Sequence, residues 1–229
     1  MIDIHTHIMP GVDDGSPSLV ASLDLIKQSI EMGITDIFLT PHYRGVYKLD
    51  KAELIARQEE LQEKLNELGL KATLHLGQEI FIDQKYRELL QSGKVLTMNN
   101  TKYVLIEFDY IRETDIPEIV YEITTLGLIP IVAHFERYTY ASTDDAIEIK
   151  NLGGLIQINA ESFIGKRKKY YGRRIDKFFK KGLVDFVASD MHLGRNNVMD
   201  LAYRYVEKKF GKAQAENVFY LNAKKIIEG

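Results

Sequence analysis

Short apolar runs alternate with longer stretches in which apolar residues recur every three or four positions. Seven runs read as buried strands: Met1–His5, Thr35–Leu39, Ala72–Gly77, Tyr103–Glu107, Pro130–Ala133, Gly154–Ile158 and Asp185–Ala188. They are rich in Ile, Val and Leu without clean alternation, as expected of parallel strands covered on both faces. Between them, Ser18–Met32, Asp50–Leu68, Thr114–Leu126, Thr143–Leu152 and Tyr171–Lys181 read as amphipathic helices, each followed by a glycine suited to close it. Asn197–Phe210 and Lys212–Gly229 read as two closing helices. Strand, helix, glycine and strand in repeated order predict an α/β fold built on a parallel sheet or barrel. No linker or composition break interrupts the rhythm, so residues 1–229 read as one domain.

Composition narrows the chemistry. A hydrophobic content of 45% supports a substantial core, and a net charge of −3 gives no global reason to bind nucleic acid or an anionic membrane. Histidines and aspartates stand where a signal peptide would carry its apolar region, and no run approaches the roughly 18 apolar residues of a membrane span. The expected location is cytoplasmic, without membrane insertion. The chain has no cysteine, which excludes disulfides, thiolate zinc sites, iron–sulfur clusters and a cysteine nucleophile.

The few histidines then stand out. His5 and His7 close the first strand, His42 follows the second, and Glu79 follows the third. Glu107 ends the fourth, His134 ends the fifth, and Asp190 and His192 follow the last. All lie at strand carboxyl ends, the face on which barrels and open α/β sheets assemble their sites. Each has a bland alternative. Asp14 could be turn chemistry, with Ser16 as a helix cap and Pro17 behind it; His42 could be a loop histidine; Glu79 and Glu107 could be held by backbone amides. Taken together, however, they would crowd imidazoles and carboxylates at one mouth, at a high cost in repulsion and desolvation unless divalent cations are present. Imidazole and carboxylate without thiolate suit Mn²⁺, Fe²⁺ or Zn²⁺, and the number of candidate ligands implies two or three ions. His75, inside a strand, reads as structural, and Asp3 as a buried polar residue one layer deeper. Arg137 and Arg195 each follow a candidate ligand by three residues, and a guanidinium fork beside metals favours a phosphate ester. The basic run GKRKKYYGRR, Gly165–Arg174, reads as a solvated loop leading into a helix, or as an electrostatic guide for an anionic, phosphorylated tail.

IDIHTH, DDG, TPH, GQEI, LIEF, AHFER and ASDMH, in that order across nearly the whole chain, resemble the polymerase-and-histidinol-phosphatase (PHP) family. They are most similar to its branch of manganese-dependent tyrosine-protein phosphatases from capsule and exopolysaccharide loci of Gram-positive bacteria. The resemblance implies a distorted seven-stranded (β/α)7 TIM-like barrel and hydrolysis of phosphotyrosine by a metal-activated hydroxide. It implies one ion on His5, His7, Glu79 and Asp190, a second on Glu79, Glu107 and His134, and a third on Asp14, His42 and His192. Arg137 and Arg195 would hold phosphate, with His42 or Asp14 as candidate general acid. The implied substrate is the tail of a tyrosine kinase of the polysaccharide export system. Phe135 departs from the residues that relatives often carry within the H-x-E-R motif. Rival readings are a PHP phosphoesterase for a small phosphomonoester such as histidinol phosphate, a metal-dependent amidohydrolase, for which no strand-end lysine is found, and a non-catalytic barrel. The sequence leaves homo-oligomerisation open.

Overall fold

The structure, a computed structural model, describes residues 1–229. All seven apolar runs form strands, and two more short segments join them. In chain order the strands are β1 (Ile2–Thr6), β2 (Asp36–Leu39), β3 (His42–Tyr43), β4 (Thr73–Leu76), β5 (Glu79–Phe81), β6 (Tyr103–Glu107), β7 (Ile129–Val132), β8 (Leu155–Asn159) and β9 (Phe186–Ala188). The unexpected β3 and β5 prolong the second and third runs after a break. At Pro41, which has no N–H to donate, the chain leaves its pairing beside β1. His42 and Tyr43 then pair with Glu79 and Ile80 instead.

Every pairing is parallel, as the both-faces-apolar runs require. The strands form two sheets, ordered β1-β2-β4 and β3-β5-β6-β7-β8-β9. One continuous seven-stranded ring is not seen, which departs from the barrel expectation. The 3-10 turn Met98–Asn100 packs against both β4 and β6, which do not pair with each other. On the opposite side, the mouth end of β1 is tied to the chain leaving β9. Asp190 N–H donates to His5 O and His7 N–H to Met191 O, each at 2.9 Å. A small core cluster gathers Ile2, Ile4, Phe38, Leu105, Ile131 and Phe186 from strands of both sheets. Ala223 and Ile226 of the last helix complete it, while the larger core lies mainly between strands and helices.

The helices are α1 (Leu19–Glu31), α2 (Lys51–Glu67), α3 (Tyr86–Gln91), α4 (Ile116–Thr125), α5 (Thr143–Asn151), α6 (Gly165–Lys180), α7 (Met199–Phe210), α8 (Lys212–Glu216) and α9 (Asn222–Glu228). Side chains of Ser18, Asp50, Asp115 and Ser142 accept first-turn N–H groups and so fix four starts. Ser16 is not the cap; it is buried and donates to Ser18 O. α6 starts at Gly165 rather than Tyr171, so the basic run is helix rather than loop. Its cations and Gly172 obscure a period that only Ile175, Phe178 and Phe179 make plain. A π turn, Asn217–Leu221, breaks the final helical stretch. No helix is long and apolar enough to cross a membrane.

Candidate metal centre

His5 lies in β1, at a register shift between Asp3 and Thr6, and His7 just beyond the strand. Their Nε2 atoms approach to 3.1 Å. The other ring nitrogen of each is already committed. His5 Nδ1 lies 3.1 Å from Gln157 Oε1, an oxygen that also accepts His134 N–H at 2.8 Å. His7 Nδ1 lies 2.7 Å from Asp13 Oδ2. Both partners are acceptors, so each Nδ1 carries the proton and both Nε2 lone pairs point at one another. Two facing lone pairs at this distance need a cation between or beside them.

Glu79 sits at the centre of the remaining candidates. Its Oε1 is 3.3 Å from His5 Nε2 and 2.9 Å from His134 Nε2. Its Oε2 is 3.3 Å from His7 Nε2 and 2.9 Å from His42 Nδ1. A carboxylate with each oxygen between two imidazoles has the geometry of a bridge. His42 Nδ1 is also 3.3 Å from Glu107 Oε1, yet both atoms are buried without a hydrogen-bonded partner. Their proximity is that of two groups aimed at a common point. On the outer side, Asp14 Oδ1 lies 3.4 Å from His42 Nε2 and 3.6 Å from His192 Nε2. His192 Nδ1 is 2.9 Å from Asp190 O, which again leaves Nε2 free to face inward.

Three groups therefore have the spacing of a cation site: His5, His7 and Asp190; His42, Glu79 and Glu107; and His7, Asp14, His42 and His192. All nine candidate ligands come together. The grouping differs in detail from the expected one, because His42 rather than His134 stands with Glu79 and Glu107. His134 joins through Glu79 alone. The donors fit manganese, iron or zinc: imidazole nitrogens, with the proton turned away on His5, His7 and His192, carboxylates, and no sulfur.

Without a cation, protons take its place. Burial opposes a charge on His7, but hydrogen bonds to Asp13 and Glu79 outweigh it and carry the imidazole pKa to about 9. Burial likewise opposes a charge on His42, but Glu79 and Glu107 raise it to about 11. Asp190 and Glu79 are held well below the usual carboxylate range by the surrounding histidines, despite burial. His192 is pushed down to about 4 by burial and by the charge on His7.

Two of the candidates occupy left-handed backbone, His134 at φ 35° and Asp190 at φ 53°. Such conformations persist in non-glycine residues only when the surroundings enforce them. Gln157 holds the His134 N–H and β1 holds that of Asp190. Gly15 meets a different constraint: a Cβ there would lie 2.0 Å from His7 O. Only glycine lets the Asp13–Asp14 turn close over His7.

Arg195 donates to Asp190 O at 2.9 Å and to its Oδ2 at 3.1 Å. Arg137 lies 3.5 Å from the same Oδ2, with its guanidinium 4.2 Å over the Tyr110 ring. The two predicted arginines thus flank one candidate ligand, Asp190. His75 is remote, bonded to Asp36 at 3.0 Å, and Asp3 is fully buried and holds Ser189 N–H. Burial raises the Asp3 carboxyl to about 6, against its hydrogen bonds from Ser189.

Sequence reasoning misses the residues that orient the candidate ligands. It selects Asp14 and overlooks Asp13 beside it. Gln157 and Asn159 form a relay, with Gln157 Nε2 donating to Asn159 Oδ1 and Asn159 Nδ2 to Asp190 Oδ2, each at 2.8 Å. The Tyr138 hydroxyl oxygen accepts Phe108 N–H and lies 3.2 Å from His134 Nδ1. Arg44 adds a third guanidinium, 3.6 Å from Glu107 Oε1. Polar residues at i and i+2 inside the buried run LIQIN carry the same signal as His5 and His7.

The chain is similar to several known proteins. It is 32% identical to the tyrosine-protein phosphatase CpsB of Streptococcus pneumoniae, over 99% of this chain and 98% of that protein. It is equally identical to the tyrosine-protein phosphatase YwqE of Bacillus subtilis, over 92% of this chain and 85% of the relative. A solved structure from a study of YwqE and CpsB, described as metal-dependent tyrosine phosphatases, superposes with a TM-score of 0.85 at 30% identity, covering 94% of this chain and 90% of that one. Histidinol phosphate phosphatase from Lactococcus lactis shares the fold, with a TM-score of 0.58 at 11% identity and 93% of each chain covered. The family model for capsular polysaccharide synthesis proteins of the CpsB/CapC type matches residues 1–228, and the chain belongs to that family.

Proposed function

We propose that this chain is a metal-dependent protein-tyrosine phosphatase of capsule or exopolysaccharide synthesis. The observation that carries the reading is the pair of facing Nε2 atoms of His5 and His7, 3.1 Å apart with both Nδ1 atoms engaged. Manganese is the proposed metal, with iron or zinc as alternatives, in two or three ions. His5, His7, Asp14, His42, Glu79, Glu107, His134, Asp190 and His192 would hold them. Bound ions would supply a water acidified enough to act near neutral pH and positive charge for the phosphoryl oxygens. The chain's own residues do the rest. Arg137 and Arg195 bind phosphoryl oxygens with planar forks. Asp13, Gln157 and Asn159 keep the ligand geometry fixed, so little reorganisation is needed during reaction. A phenol has a pKa of about 10, so tyrosine leaves with little help; His42 or Asp14 would give what proton transfer is needed.

The proposed substrate is a tyrosine kinase tail of the export system, and the proposed location is the cytoplasm. We also infer that the strands form a distorted seven-stranded barrel, β2 with β3 and β4 with β5 each counting as one. The core cluster drawn from both sheets supports it. Metal-stripped protein reconstituted with Mn²⁺ should hydrolyse a phosphotyrosine peptide far faster than a phosphoserine peptide or histidinol phosphate, and faster than when reconstituted with Mg²⁺. A preference for histidinol phosphate, or turnover indifferent to metal, would sink the reading.

A further inference from the structure

The basic run that opens α6 does not spread its charge evenly around the helix. Lys168, Lys169 and Arg173 share a groove of about 810 Å³ with Lys208 and Lys209 of α7, and Asp176 is the only carboxylate lining it. That carboxylate is already engaged by Lys209 and by Tyr205 O–H. Lys168 Nζ is steadied 4.2 Å over the Tyr205 ring. Arg167 turns away to Glu161, whereas Lys169, Arg173 and Lys208 pair with no carboxylate. In a chain of net charge −3, this is a local excess of positive charge left unneutralised.

Two features mark a groove shaped to be filled rather than a merely solvated face. Gly172 lines it from the interior of α6, where glycine disfavours helix relative to alanine. A Cβ there would lie 3.3 Å from Lys168 Cγ and would displace that lysine's stem by a few tenths of an ångström. The start of α6 is also linked to the metal centre through a short stretch of chain. Gly165, which lines the groove, follows the 3-10 turn Ala160–Phe163, and Asn159 just before that turn bonds Asp190. From Gly165 to Asp176 the helix rises about 16 Å, enough for roughly five residues of extended chain.

We propose that this groove docks an acidic stretch of polypeptide carried by the phosphoprotein substrate, apart from the phosphotyrosine itself. The purpose of docking rests on the phosphatase reading above, whereas the binding does not. Anion-seeking cations along a groove of this length suit successive carboxylates on an extended segment better than one small anion. They would speed encounter and give a strong dependence on salt.

The test is fluorescence anisotropy with two unphosphorylated peptides of equal length, one rich in Asp and Glu and one neutral. Wild-type protein should bind the acidic peptide, lose affinity with salt, and ignore the neutral one. The Lys169→Glu/Arg173→Glu/Lys208→Glu variant, altered only at exposed positions, should bind at least about tenfold more weakly, the low end of electrostatic steering effects. The corresponding Gln variant should fall between. With phosphotyrosine peptides, the reversal should raise KM for the acidic-flanked peptide and leave kcat, and turnover of an aryl phosphate, unchanged. Equal binding of the two peptides, or of variant and wild type, would overturn the proposal. So would salt-sensitive sedimentation with phosphatidylglycerol vesicles lost in the variant without any peptide preference, which would assign the groove to a membrane surface. If anisotropy behaves as expected but no phosphopeptide is hydrolysed, the phosphatase reading fails and the docking site stands.

Discussion

Asp13→Asn tests whether the ligands depend on the groups behind them. Asp13 Oδ2 lies 2.7 Å from His7 Nδ1 and 3.2 Å from His42 N, while Oδ1 holds Gly15 N–H at 3.0 Å. An asparagine has one oxygen for these three donors. If its NH₂ faces His7, the imidazole proton is driven to Nε2, where it blocks the cation. If it faces Gly15, two donors meet and the turn is loosened. A buried hydrogen bond to a charged group is worth about 1.5–3 kcal/mol. At about 1.4 kcal/mol per decade this is roughly a ten- to hundredfold loss of metal affinity, the range seen for groups that orient metal-binding histidines. Asp13 also helps keep the metal-free His7 protonated up to about pH 9. Its loss therefore eases proton competition at neutral pH, and the deficit should widen as pH rises from 7 towards 9. Calorimetric Mn²⁺ titration at several pH values, with the melting temperature of the metal-free protein as a fold control, reads this out. Affinity within twofold of wild type at the upper pH would refute the reasoning.

Three further outcomes follow from the same geometry. Gly15→Ala should cost at least about tenfold in metal affinity, because its Cβ would meet His7 O at 2.0 Å and the ring must move; titration of the metal-free variant checks it. Metal uptake at pH 7.5 should release about two protons. His7 at about 9 and His42 at about 11 are both protonated there without metal, so apparent affinity should climb with pH to about 9 and more gently beyond; the dependence of binding heat on buffer ionisation enthalpy counts them. Gln157→Leu should weaken metal binding by roughly tenfold, since it frees His5 Nδ1 and the His134 N–H together. Gln157→Glu, which keeps an acceptor facing both, should recover part of that loss.

The main strands are legible because a run apolar on both faces fits little besides a strand covered by helices. β3 and β5 are not, since two or three residues show no period and His42 and Glu79 look like loop residues beyond a strand. The start of α6 is hidden by its own cations, whose role lies at the surface. In the site, each candidate ligand announces itself as a charged or imidazole group where the surroundings are apolar. Asp13 and Asp14 cannot be separated by sequence, because which carboxylate faces His7 is decided by a turn that Gly15 alone permits.

The orienting residues are hidden for a different reason. β8 offers no imidazole or carboxylate, so by a count of ligands per strand it is silent. Its two amides nevertheless hold His5, His134 and Asp190. An imidazole presents a lone pair inward only if its proton is turned outward to an acceptor. Gln157 does this for His5, Asp13 for His7, and the Asp190 carbonyl for His192. His134 has the Tyr138 hydroxyl at Nδ1, whereas His42 has Nδ1 facing Glu79 and Nε2 facing Asp14. Nothing outside the cluster fixes its tautomer, and a cation on either nitrogen moves the remaining proton towards the other carboxylate. His7 is also shared between two cation groups, but its proton is fixed by Asp13; His42 is the shared histidine whose tautomer can follow occupancy, so His42→Ala should weaken two groups together.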